Sequence, residues 1–97
     1  MYEIQYSKNA AKRLDNKIIK EYIRLIQAAI LEKLSVDPFL YGSALKGDWK
    51  GHYKLRVGTY RIVYRIDVPN KIVRIVAIDH RRMVYNVWML KSNNIDK

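Results

Sequence analysis

The chain has no cysteine and only two histidines, His52 and His80. Disulfides and thiolate metal sites are therefore excluded, and a zinc site has too few ligands. No apolar run approaches the ~20 residues of a membrane span. The start, Met1-Tyr2-Glu3-Ile4-Gln5, lacks the basic-then-apolar pattern of a secretion signal, so a cytosolic protein with no membrane role is expected. Internal repeats, linkers and low-complexity tracts are missing too, and 97 residues suit one domain over residues 1–97. Acids are the most telling shortage. Nine Asp and Glu stand against 19 Lys and Arg, a formal net charge of +10. Such an excess costs self-repulsion in the folded state, which points to a polyanionic partner: nucleic acid first, then an anionic membrane surface or an acidic protein.

What is present sorts into elements by period. Tyr2 to Tyr6 alternates as a short strand, and Ser7 is a good cap for a helix burying Ala10, Ala11 and Leu14. Asp15-Asn16 interrupts that helix. From Lys17 to Leu34 the apolar positions Ile19, Tyr22, Ile23, Ile26, Ile30 and Leu34 recur at helical spacing. This helix should stop near Ser35, because Pro38 disfavours helical geometry at Asp37. Residues 38–51 read as a loop, with at most a short strand around Ala44-Leu45-Lys46. Asp67-Val68-Pro69-Asn70 reads as a turn, and Ile72 to Ile78 as a strand buried on both sides. Val84 to Leu90 reads as a short terminal element and Lys91 to Lys97 as a loose end. The order predicts an α+β domain: a short N-terminal strand, a helical hairpin, then antiparallel strands forming one sheet with both helices on one face.

Tyr53 to Tyr64 is the most informative stretch. Alternation about Gly58-Thr59 predicts a two-residue hairpin of type II′, pairing Val57 with Tyr60, Arg56 with Arg61, Leu55 with Ile62, Lys54 with Val63 and Tyr53 with Tyr64. One face is then core. The other carries Lys54, Arg56, Arg61 and Arg65, with His52 expected opposite Arg65. Like charges directly opposite on a sheet are destabilising, so Arg56 against Arg61 implies an anion between them. Lys46, Trp49 and Lys50 just before the hairpin extend this surface, with Trp49 either a base-stacking platform or a lid over the core edge. Asp79-His80-Arg81-Arg82-Met83-Val84-Tyr85 is a second basic cluster.

Together these segments resemble the RelE/ParE toxin superfamily over essentially the whole chain. The resemblance is carried by Leu45-Lys46-Gly47, by Tyr53 to Tyr64 with its Arg-Val-Gly-x-Tyr-Arg-x-x-Tyr pattern, and by His80-Arg81-Arg82-Met83-Val84-Tyr85. It implies a RelE-like fold, no cofactor, and a toxin of a type II toxin–antitoxin module neutralised by an acidic antitoxin. Through that antitoxin the complex would bind operator DNA. RelE-type members cut messenger RNA in the ribosomal A site, whereas ParE-type members poison DNA gyrase; a non-catalytic nucleic-acid-binding corepressor is a further alternative. The RelE-type site implies catalytic roles for Lys54, Arg56, Arg61, His80, Arg81 and Tyr85. RNA contacts are expected at Lys46, Trp49, Lys50, His52, Arg65 and Arg82.

RNA cleavage without a metal needs a base for the ribose 2′-OH proton, cations for the phosphorane and an acid for the departing 5′-oxygen. Arginine cannot be the base, while a lysine crowded by cations can have its pKa lowered toward neutrality. Lys54 is therefore the first choice and His80 the alternative, with His52 a further histidine able to substitute. Arg61 suits the transition-state charge and Arg81 the leaving group. Tyr85 either stacks on the substrate base, orients the 2′-OH, or closes the sheet as a core residue.

Overall fold

Ser7 lies between the first strand and the first helix and ties both to the middle of the sheet. The computed structural model describes residues 1–16 and 20–80, placing β1 at Glu3–Tyr6 and α1 at Lys8–Asn16. The Ser7 hydroxyl accepts the Ala10 amide at 3.1 Å, the expected capping bond, and donates to the Val76 carbonyl at 3.2 Å. Helix α2, Lys20–Ala29, runs into one π-helical turn at Ile30–Leu34, closed by the Ser35 amide on the Ile30 carbonyl at 3.1 Å. Ile26, Ile30 and Leu34 are fully buried. They are spaced four apart, slightly more than one α-turn, and the wider π turn keeps Leu34 on the core side. The helix ends at Ser35 as expected, and the Ser35 carbonyl accepts the Tyr2 amide at 2.7 Å, holding β1 against the helix end.

Residues 38–51, expected as a loop with at most a short strand around Ala44, contain three short elements. Helix α3 spans Pro38–Tyr41, β2 is Ser43–Ala44, and a 3-10 turn covers Gly47–Trp49. Pro38 does end the preceding helix, but it also starts the next one. The Asp37 carboxylate accepts the Leu40 amide at 3.1 Å, and a proline in the first turn loses no hydrogen bond there.

Strands β3 (Tyr53–Val57), β4 (Tyr60–Asp67) and β5 (Ile72–His80) complete a sheet of order β1-β5-β4-β3-β2. The sheet is mixed, since β1 runs parallel to β5 from Glu3 beside Ile72 to Tyr6 beside Ile75. All five predicted hairpin pairs are found, from Val57 with Tyr60 to Tyr53 with Tyr64. Gly58 has φ +60° while Thr59 does not enter the left-handed region, as a type II′ turn requires. A Cβ at Gly58 would also lie 3.0 Å from the Tyr22 ring, so the turn packs directly under α2.

One face of the sheet receives the helices. Ala10, Leu14, Ile26, Ile30 and Leu34 pack on Leu55, Ile62, Tyr64, Val73, Ile75 and Ile78, each fully buried Ile or Leu contributing about 1.5–3 kcal/mol. In β5 the apolar run conceals an irregularity. Val63 lies beside Ala77 but Tyr64 lies beside Ile75, leaving Val76 as an extra residue. This bulge shifts the alternation, so that Val73 and Ile75 face the helices whereas Ala77 packs with Val63 on the opposite face. The Val76 carbonyl at the bulge is the one that accepts the Ser7 hydroxyl.

Tyr64 links the core to the loop beside β3. Its hydroxyl donates to the Pro38 carbonyl at 2.7 Å, and its ring stacks on Tyr53 with centroids 5.7 Å apart. Gly42 passes directly over this phenol, where a Cβ would lie 1.7 Å from Oη and 3.2 Å from the Lys54 carbonyl. Gly42→Ala is therefore expected to destabilise the fold by about 1–3 kcal/mol, read from a denaturant melt. Burial, reinforced by Tyr53 and Asp37, pushes the Tyr64 phenol far above its usual value of 10.0. The proton is thus retained in the folded state at pH values where the unfolded chain loses it. The stability this provides is complete below pH 10 and is lost as pH rises above it. In urea melts across that range, Tyr64→Phe should flatten the alkaline decline.

Candidate functional site

The face of the sheet away from the helices is organised in lateral rows. Near the Gly58 turn, positions Arg56, Arg61 and Asp79 stand abreast across β3, β4 and β5. In the middle row Lys54 pairs with Ser43 on one side and Val63 on the other, and Val63 is beside Ala77. At the far end Arg65, Arg74 and Gln5 stand abreast across β4, β5 and β1. Neighbouring strands lie about 4.8 Å apart and residues two apart along a strand about 6.6 Å, so Lys54, Arg56 and Arg61 share a small area. Lys54 and Arg61 are half-buried and Arg56 is exposed. Neither the Lys54 nor the Arg56 side chain makes a hydrogen bond or ion pair with any described residue. Their charges remain available to a ligand.

Trp49 and Leu45 pack onto Val63 and Ala77 between the two basic rows. The indole is half-buried, which makes it a lid over the sheet and leaves part of it accessible. Lys46 and Lys50 are exposed on either side of the turn that carries it. His52 is not paired with Arg65, because the β3–β4 register ends at Tyr53 beside Tyr64. It precedes β3 and is only 7% exposed, with its ring edge-on to Trp49 at 6.1 Å. Its amide donates to the Trp49 carbonyl at 3.0 Å and its carbonyl accepts the Leu45 amide at 2.9 Å, so its backbone continues the pairing with the β2 side.

The register of β5 places backbone position His80 beside Tyr60. Arg81, Arg82 and Tyr85, together with the expected terminal element, lie outside the described residues. Two positions escape a reading of the sequence. Asp79 is abreast of Arg61 and Arg74 is abreast of Arg65, so an acidic position adjoins the first arginine pair and a second arginine pair exists. Arg74 falls beside Arg65 once β5 is run back antiparallel from the 67–70 turn, whereas Asp79 lies beyond Val76 and is found only once the bulge there is known.

Comparison with known proteins agrees with this architecture. Residues 2–85 match the family described as the ParE toxin of type II toxin–antitoxin systems. Toxin RelG of Mycobacterium tuberculosis is 30% identical over 84 residues, covering 87% of this chain and 95% of that protein. Among solved structures, the toxin–antitoxin complex RelBE2 from Mycobacterium tuberculosis contains a chain that superposes with a TM-score of 0.77 at 30% identity, covering 82% of this chain and 98% of that one. The isolated E. coli RelE toxin has the same fold, with a TM-score of 0.72 at 19% identity over 94% of this chain and 98% of that one. The chain belongs to the ParE toxin family and is a toxin of the type II toxin–antitoxin class within the RelE/ParE superfamily.

Proposed function

We propose that this toxin is a ribosome-dependent endoribonuclease that cuts messenger RNA in the A site without a metal. The observation that carries the reading is the pairing of Arg56 with Arg61 across the hairpin, with Lys54 two residues away on the same helix-free face. A phosphodiester set between the two arginines receives charge-assisted hydrogen bonds from both sides. In the proposed step Lys54 takes the 2′-OH proton while the 2′-oxygen bonds to phosphorus. Arg61 neutralises the phosphorane as the bond from phosphorus to the 5′-oxygen breaks. Arg81 stabilises the charge that develops on the leaving 5′-oxygen, which takes its proton from solvent, and the products are a 2′,3′-cyclic phosphate and a 5′-hydroxyl. The register position of Asp79 beside Arg61 fits a positioning role for that guanidinium. Tyr85 is proposed to hold the substrate nucleotide, and Trp49, Lys46 and Lys50 to contact RNA along its path.

The partner proposed for the uninhibited charge is an acidic antitoxin. The net charge of +10 supports it, as does the assembly of the RelBE2 relative with an antitoxin. A second reading, gyrase poisoning, is favoured by the family match, which carries the ParE description. Primer extension on a message translated by programmed ribosomes, run beside a gyrase supercoiling assay, separates the two. The nuclease reading expects A-site cuts with supercoiling intact. Supercoiling inhibition with no cut on the message would replace it with the gyrase reading.

A further inference from the structure

The far row of the helix-free face lies in an open cleft of about 540 Å³, lined by Gln5, Arg65, Asp67, Val68, Pro69 and Arg74 among others. Arg65 and Arg74 are cross-strand partners and both are exposed. Like charges in that position destabilise a sheet, and the Arg65 side chain makes no hydrogen bond or ion pair with any described residue. Nearby acids are otherwise engaged. Asp67 accepts the Asn70 side-chain amide at 2.9 Å and the Asn70 backbone amide at 3.3 Å, and Glu3 accepts the Gln5 amide at 3.3 Å. The Gln5 carbonyl oxygen in turn accepts from Arg74 at 3.5 Å, steadying that guanidinium on the row.

We infer that Arg65, Arg74 and Gln5 form a second phosphate-binding subsite, which holds the RNA backbone a few nucleotides away from the bond to be cut. This rests on the RNA reading above and extends it. Arg65 is four residues along β4 from Arg61, about 13 Å in an extended strand, too far for one phosphate to bridge both rows. Between them the Trp49 and Leu45 side chains cover Val63 and Ala77, with Lys54 at the β3 edge of that middle row, so an anion that engages both arginine rows must span them as a chain. A linear polyanion does this, and a free phosphate does not. The row at Arg56 and Arg61 then positions the reacting phosphate, while the far row sets the direction in which the strand leaves.

The test is binding of single-stranded RNA oligonucleotides of increasing length to purified toxin, made non-cleavable by 2′-O-methyl substitution, across a salt series. The double variant Arg65→Gln/Arg74→Gln should bind long strands roughly ten- to a hundredfold more weakly, as expected when charge-assisted hydrogen bonds to one phosphate are removed. Its log-affinity against log-salt slope should be shallower by about 0.7 for each phosphate that the variant no longer neutralises. Strands too short to span the rows should bind the variant and the parent alike. The variant should fold, because it removes a like-charge pair from an exposed face. Lys20→Gln/Arg24→Gln, an equal charge change on the outer side of α2, is the control. Equal weakening by the control pair, or weakening independent of strand length, overturns the subsite. If long-strand binding depends on Arg65 and Arg74 while ribosomes and toxin yield no cut, the subsite stands and the nuclease reading falls.

Discussion

Arg61→Ala is expected to lower messenger RNA cleavage by at least about a hundredfold, the usual cost of removing a charge aimed at a transition state. Arg61 is the middle member of its row, flanked by Arg56 on β3 and by position Asp79 on β5. From there its guanidinium can reach a phosphate held between β3 and β4. It is half-buried, on the face opposite the helices. A modest loss of stability is expected from the variant, not unfolding, and a thermal melt run beside the primer-extension time course separates the two effects. Arg61→Lys refines the result. It keeps the charge but loses the planar fork, so activity should fall between parent and alanine variant. Arg81→Ala should behave like Arg61→Ala. Full toxicity and full cleavage by Arg61→Ala would remove the site proposed here.

How much of this is legible in the sequence depends on whether a local residue pins the geometry. Gly58 fixes the hairpin, because only one register lets a type II′ turn join two strands whose apolar residues, Val63 apart, fall on one face. Lys54, Arg56 and Arg61 are therefore brought together by the sequence alone. Ser7 marks the first helix equally well. The extension of the Arg61 row onto β5 is another matter, since it depends on an extra residue in that strand. Val76 is apolar among apolar neighbours, and nothing local distinguishes a bulge there from a continuous strand buried on both sides. Asp79 escapes for that reason. The pairing of His52 with Arg65 fails because alternation is carried one residue past the start of β3, where the backbone bonds to Leu45 and Trp49 instead. Pro38 announces what it stops more plainly than what it starts, so α3 stays hidden, and with it the close approach of Gly42 to Tyr64.

Lys54 is expected to be indispensable to cleavage and dispensable for binding. One cation among the many on a chain of net charge +10 carries a small share of polyanion affinity, so Lys54→Ala should leave ribosome binding largely intact while abolishing the cut. Lys54→Arg is the sharper variant. It keeps the positive charge beside Arg56 but cannot give up a proton, and it should be as inactive as the alanine variant if Lys54 takes the 2′-OH proton. Position favours lysine in this role. Lys54 is half-buried between Ser43 and Val63, two residues from Arg56 on the same face, whereas His80 stands one position beyond the Arg61 row, beside Tyr60. The opposite assignment has its own signature. If His80 is the base, Lys54→Arg should retain activity and His80→Ala should lose it. Single-turnover cleavage on programmed ribosomes measures both variants across pH. Activity retained in Lys54→Arg transfers the base role away from Lys54 and leaves it as one more cation in the row that binds the message.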